Sequence, residues 1–427
     1  EALVGSSLAR WRAEGGGPVD ITSKFGFIQG RTLQEHKDGG NFPGAVEYTE
    51  DCLHSIHPDF MRHQLANSLA TLGVDQVSTY LVHNPEHLLM SKLPPDTPSG
   101  SDQVRAAQED LATKLEDTFA ALEEEVARGS IGRYGVSSNS FALPTDHVHY
   151  VPLAAVLTAA ERAAKRIGAS RHSLAAIELP ANVIERTGLT PVDLGGNGCA
   201  QLARKNGVDV MVNRALTAFD PVGSWRLADA EFPLDYASFR DALVEHLTPP
   251  DEDTSSWPQA ERDEWEETLQ ACRWLVQLIN DLDGQMAAFS SVMHYQDDLM
   301  RKVIPMINSK LDGMDDETSN MLFDFFSRYE AAVRSVAGQQ TRTHVFESIS
   351  QDAAISALKG SARDDFVPPA LPSPLLGAAA QVPMQDFALA WLRDQPSVST
   401  VLLGALRPEY ADQAARVFGL GAVPSET

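Results

Sequence analysis

Short apolar runs rich in β-branched residues alternate along the chain with longer stretches whose apolar residues recur every three or four positions. The first kind reads as buried strands and the second as helices packed on one face. DQVSTYLVHNPE (75–86) is the sharpest of the short runs, with Val77, Tyr80 and Val82 apolar and an abrupt stop at His83-Asn84-Pro85. Others are VDITSKF (19–25), IGRYGVSSNSF (131–141), SLAAIELPAN (173–182), VDVMVNRAL (208–216) and VSTVLLG (398–404).

Between them lie helical stretches at 58–72 (Phe60, Met61, Leu65, Leu69, Leu72) and at 111–126 (Leu111, Leu115, Phe119, Leu122, Val126). The second closes at Arg128-Gly129, a helix stop. Further helices are predicted at 154–167 and 199–206, and an opening one with Leu3, Val4 and Leu8 ends at Gly15-Gly16-Gly17-Pro18. Residues 30–51 are Gly- and charge-rich and read as a loop. A strand–loop–helix rhythm of this kind predicts a parallel sheet with helices outside.

The rhythm breaks after Asp220. Helical periods dominate from there to Gly360, over Trp265–Leu282, Met286–Ile307 and Met321–Val336, separated by acidic, Ser-rich stretches. FVPPALPSPLL (366–376) is a Pro-rich connector, after which the rhythm resumes, its last helix opening at Pro408. We therefore expect residues 1–219 and 366–427 to form one barrel-like domain, with 220–365 a helical insertion. Asp297-Asp298 and Asp315-Asp316 sit in no ligand-spaced motif and read as solvated helix faces or caps; no metal site is expected.

Charge changes the picture in one respect. With 59 acidic against 34 basic residues and a formal net charge of -25, the surface is wrong for phosphate-backbone binding, so nucleic acid is excluded as the main partner. The 3 cysteines, Cys52, Cys199 and Cys272, form neither a disulfide framework nor a metal motif, which fits a reducing space: cytoplasm or an organelle matrix. No run is apolar enough to span a membrane. The first residue is Glu1, which reads as a processed or truncated start.

The strand ends carry Lys24, His83, Ser137-Ser138-Asn139, Glu178 with Asn182, Asn213-Arg214 and Gly404. In a β/α barrel such positions converge on one rim, where catalysis is found. Alone, His83 is equally a core histidine satisfied by a carbonyl, and Lys24 an ion-pairing rim residue. Together, a lysine beside an acid activates a hydroxyl proton donor and a neutral histidine orients a carbonyl oxygen. That is the logic of carbonyl reduction by hydride transfer from a nicotinamide.

TSKFG (22–26), LANSLATLGVDQVSTYLVHNPE (65–86), LEDTFAALEEEVARGSIGRYGVSS (115–138), IELPAN (177–182) and ALAWLRDQPSVSTVLLGALRPEYADQ (388–413) together resemble the aldo-keto reductase family. The resemblance implies a TIM-type (β/α)8 barrel, here without its first strands and carrying the large helical insertion. It implies Lys24 and His83 as catalytic residues, with NADP or NAD as cofactor. Ser138, Asn139 and Glu178 would hold the nicotinamide carboxamide, Arg214 would also bind the cofactor, and Gly404 and Arg407 would meet the adenine-nucleotide phosphates.

There are departures from the pattern. The family's Tyr proton donor and Asp precede the helix that here begins at Glu1. The usual Gln reads Glu178, the usual nicotinamide-stacking aromatic reads Asn213, and the late adenine-contacting Glu-Asn reads Gln413-Ala414. Two functions are therefore expected. The first is an NAD(P)H-dependent reductase of a small carbonyl compound (aldehyde, ketone or sugar). The alternative is an inactive pseudoenzyme, a structural subunit whose helical insertion binds a protein partner in a larger assembly.

Overall fold

A computed structural model describes residues 1–249, 251–310, 315–359, 382–405 and 407–419, and for 310 and 350–359 the backbone alone. Six strands make one parallel sheet: β1 (Thr22–Phe25), β2 (Val77–His83), β3 (Ile131–Ser137), β4 (Leu174–Pro180), β5 (Asp209–Asn213) and β6 (Thr400–Val401). Spatial order equals chain order. Each strand pairs in parallel with the next, as successive strand–helix units of one hand require. The sheet is the arc of a β/α barrel, with β1 and β6 at its two ends.

Alternation along the strands divides the sheet's faces. Phe25, Tyr80, Val82, Tyr134, Val136, Ile177, Leu179, Val210 and Val212 are buried on the helix-covered face. On the inner face Leu81, Ala176 and Met211, with Leu402 beside them, pack as an apolar layer. One step further along the strands, His83 stands opposite Ser137 and Ser137 opposite Glu178. Gly135 belongs to the apolar layer, where a Cβ would lie 2.1 Å from the Ala176 carbonyl oxygen and 2.8 Å from Leu81 Cδ2. Only glycine fits there.

The covering helices are α1 (Ala2–Ala13), α2 (Pro58–Leu72), α3 (Asp102–Arg128), α4 (Leu153–Arg166) and α5 (Cys199–Lys205). α3 begins where Ser101 Oγ accepts from the Val104 amide at 3.3 Å, and it stops at Gly129 with φ 83°. Its Leu111, Leu115, Phe119 and Leu122 are buried, the stripe their spacing predicts, each contributing about 1.5–3 kcal/mol. α2 opens with Pro58 in its first turn and closes at Gly73, φ 64°. Glu1 Oε1 accepts from Ser23 at 2.5 Å and from Ser68 at 2.8 Å, joining the start of α1 to β1 and α2.

Residues 30–51 are not the plain loop expected. Phe27–Gln29, Cys52–His54 and Val46–Thr49 form a small antiparallel sheet in that order, and Gly30–Glu35 is a short helix. The mixed polar sequence hid it, because its strands are three and four residues long.

The described residues fall into two compact units: those of Glu1–Ala215, Ile355–Pro368 and Ala390–Thr427, and those of Leu216–Ala354 and Pro369–Leu389. The second is mainly helical, with α6 (Tyr236–His246), α7 (Gln259–Gln285) and α8 (Asp316–Lys359). Leu275, Ile279 and Leu282 of α7 bury against a core that includes Leu322, Phe325, Tyr329, Ala332 and Val333 of α8. Tyr329 Oη donates to the Leu282 carbonyl between those helices.

Two details depart from expectation. Met286–Ile307 is not continuous, because Ser291 caps a fresh helix at Val292 by accepting from the His294 amide at 3.2 Å. A hairpin, Thr217–Phe219 with Ser224–Arg226, precedes the helices. The acidic pairs behave as helix faces and caps: Asp297 and Asp298 pair with Arg301 and Lys302, each at 2.7 Å. Asp315 accepts from the Thr318 amide and hydroxyl at 2.8 Å each. Among the described residues no helix is long and apolar enough to cross a membrane. The Pro-rich 366–376 connector lies outside the described residues.

Candidate functional site

The inner rim of the first unit gathers polar side chains at the carboxyl ends of β1 to β5. Lys24 Nζ donates to Glu178 Oε1 at 2.5 Å and to Ser137 Oγ at 3.4 Å. Asn213 Nδ2 donates to the same Glu178 oxygen at 2.7 Å. Glu178 is 1% exposed and the Lys24 side chain 28%, so a buried carboxylate on β4 meets a half-buried ammonium on β1. Burying a carboxylate is tolerated when it is paired and hydrogen-bonded in this way. Two acceptors of this cluster, Glu178 Oε2 and Asn213 Oδ1, are buried without a partner.

His83, half-buried at the end of β2, is neutral. Burial, then the Lys24 charge, pulls its imidazole down to about 4, against the opposing pull of Glu178. The ring of Phe27 meets it edge-on at 5.0 Å. A carbonyl-satisfied core histidine stands beside it in His54, whose Nε2 lies 2.6 Å from the His83 carbonyl oxygen. Burial lowers His54 to about 3 and His87 to about 4. His87 packs on Tyr48 at 4.3 Å and on His54 at 5.1 Å. The small sheet thus sets Phe27 against the His83 ring and His54 against its carbonyl, with His87 and Tyr48 packed behind them.

A second cluster follows β3. Ser138 Oγ donates to Glu86 Oε2 at 2.7 Å and the Asn139 amide to Glu86 Oε1 at 3.0 Å. The Ser138 amide donates to the Glu178 carbonyl at 2.9 Å, tying this turn to the Lys24 cluster. Arg214, at φ 57°, reaches Asn139 Oδ1 at 3.1 Å and pairs with Glu185 at 2.8 Å. Asn182 fixes it from behind, Nδ2 donating to the Arg214 carbonyl at 3.1 Å and to Glu185 Oε2 at 3.0 Å.

Lys24, His83, Ser138, Asn139, Glu178 and Arg214 therefore share one rim. Gly404 and Arg407 are exposed in the turn between β6 and the helix Pro408–Val417. Sequence reading missed Glu86, His54, His87 and Glu185. Glu86 alone carried a signal, an acid just past the Asn84-Pro85 stop. The others gain their roles from partners far along the chain.

Residues 2–161 match the model of the Aldo/keto reductase family. No curated protein matches the chain. Similar solved structures include the holo form of an aldo-keto reductase from Bacillus halodurans, 17% identical, covering 64% of this chain and 63% of that one with a TM-score of 0.29. An aldo/keto reductase from Klebsiella pneumoniae, in complex with NADP and acetate, is 18% identical over 50% of this chain and 48% of that one, TM-score 0.27. The aldose reductase from Schistosoma japonicum is 15% identical over 50% and 53%, TM-score 0.27. The chain spans less than two thirds of the length of each of these structures.

Proposed function

Taking residues 2–161 as an aldo/keto reductase domain, we propose that the first unit binds NADP or NAD and reduces a small carbonyl compound, an aldehyde, ketone or sugar. The observation that carries this reading is the Lys24–Glu178 pair at 2.5 Å on the same rim as a neutral His83 held at about 4. An isolated structural ion pair needs no uncharged imidazole beside it.

The rim suits a nicotinamide. The partnerless acceptors Glu178 Oε2 and Asn213 Oδ1 call for N–H donors, and a primary carboxamide carries two. Ser138, Asn139, Glu178 and Asn213 would hold that end, Arg214 would brace Asn139, and Gly404 and Arg407 would meet phosphates. When bound, the cofactor supplies the hydride. His83, uncharged at neutral pH, donates an N–H to the substrate's carbonyl oxygen and polarises it. Lys24 places a positive charge beside the oxygen as it becomes an alkoxide. Phe27, edge-on to the His83 ring, covers that side of it. The alkoxide then takes a proton from a hydroxyl donor, which in the family's pattern is a Tyr.

A second reading is supported by one feature: the Lys24 ammonium is already taken up by the buried Glu178 carboxylate and by Ser137. On that reading the barrel is a pseudoenzyme, a structural subunit that meets a protein partner through its helical region. NADPH-dependent turnover of an aldehyde panel separates the two. The enzyme reading expects Lys24→Ala and His83→Ala each to lower kcat/KM by about 10²–10⁴-fold. Absence of turnover in a folded wild-type protein favours the second reading.

A further inference from the structure

Glu86 has no part in the carbonyl chemistry, yet it is an enclosed acid beside it, 4% exposed on the segment that leaves β2. Its two oxygens reach across to the turn after β3, one taking the Ser138 hydroxyl and the other the Asn139 amide. Ser138 Oγ also meets Ser140 Oγ at 2.8 Å, so a single carboxylate organises three consecutive residues. Asn84, two residues before it, is held at φ 49°, a left-handed backbone that turns the chain and delivers Glu86 inward.

We infer that Glu86 is a positioning residue whose carboxylate sets the Ser138–Asn139 turn, making uptake of a nicotinamide cofactor proton-linked. The inference rests on the proposed function, since it takes those two residues as cofactor contacts. A carboxylate accepts both bonds at once; a protonated acid gives up acceptor capacity on one oxygen, and the turn loses a charge-assisted hydrogen bond. Burial raises this carboxyl to about 7, with the Ser138 bond and the neighbouring amides pulling against it. The switch therefore falls within the physiological range.

The other groups around it leave that range clear. His83 and His87, on its own segment, titrate near 4. The β3 turn presents only the Ser138 and Ser140 hydroxyls and the Asn139 amide. From β5, Arg214 bonds Asn139 and pairs with Glu185.

The sign of the linkage gives a double signature. A carboxyl raised from 4.5 to about 7 in the fold contributes stability fully below pH 4.5, and that stability is lost as pH rises through about 7. Cofactor affinity runs the other way, rising over the same interval as the carboxylate forms and the turn sets.

The test is NADH affinity from pH 5.5 to 8, NADH being chosen because it has no 2′-phosphate to titrate. The wild type is expected to bind about tenfold more tightly at the upper end, the value of one charge-assisted bond. Glu86→Gln, uncharged at every pH, is expected to give a flat profile. An unchanged slope in Glu86→Gln, or a flat wild type, overturns the inference. If NADH fails to bind at any pH, the functional reading has failed, and the switch is then read in the cofactor-free protein. Protection of the Asn139 amide from hydrogen exchange must rise through pH 7 in the wild type and not in Glu86→Gln; equal profiles overturn it.

Discussion

The two units bury different things. Among its described residues the helical unit buries only Ser291, Thr318, Ser335 and Thr341 besides apolar and tyrosine side chains, and no charged group. The sheet unit buries Glu86, Glu123, Glu125 and Glu178, together with His54, His87 and His149. Taking an ion out of water costs several kcal/mol unless partners offset it, so each buried acid needs a local reason. Glu123 has a structural one, accepting from Tyr134 Oη at 2.9 Å and from the Ser173 amide and hydroxyl at 2.6 and 2.7 Å. Glu125 meets Arg128 at 2.5 Å and Arg62 at 3.6 Å. The two at the strand ends differ, for Glu178 keeps one oxygen unpartnered and Glu86 is held near its own titration point. Chemistry is sought where burial is least self-sufficient.

This contrast is open to attack from both sides. The largest effect is expected in the helical unit, where Phe325→Ala removes a fully buried ring and is expected to cost about 3–5 kcal/mol. Calorimetry reads that loss, and cofactor affinity measured below the transition is expected to stay within about twofold of wild type. A parallel collapse of affinity would mean that the helical unit shapes the site. A smaller stability effect is expected from Glu178→Leu, about 1–3 kcal/mol, since Lys24 loses a buried partner yet keeps partial access to water. Here the order inverts: affinity for the nicotinamide end is expected to fall by more than tenfold. Denaturant titration beside a binding curve would show it, and an unchanged affinity would make Glu178 a structural acid like Glu123.

Much of the fold was legible because it rests on period alone. β2 announces itself by Val77, Tyr80 and Val82, a short apolar run buried on both faces, and α3 by Leu111, Leu115, Phe119 and Leu122, the one face a helix must bury whatever it packs against. Lys24, His83 and Glu178 were legible as polar residues closing apolar runs. What escaped was set by tertiary partners. The antiparallel sheet at 27–54 has strands too short for any period to register. His54 and His87 look like ordinary polar residues until folding brings them within ring contact. Glu178 read as a ligand contact; that it also anchors Lys24 depends on a register linking residues 154 positions apart.

The most direct test of the account is equilibrium binding of NADPH to the whole chain, followed by quenching of its 6 tryptophans, in the wild type and in Asn139→Ala. The account predicts saturable binding that weakens at least about tenfold in the variant, whose hydrogen-bonding side chain at the nicotinamide end is gone. Absence of binding by a folded wild type, or binding indifferent to Asn139→Ala, would contradict the claim that the strand ends of the first unit hold a nicotinamide.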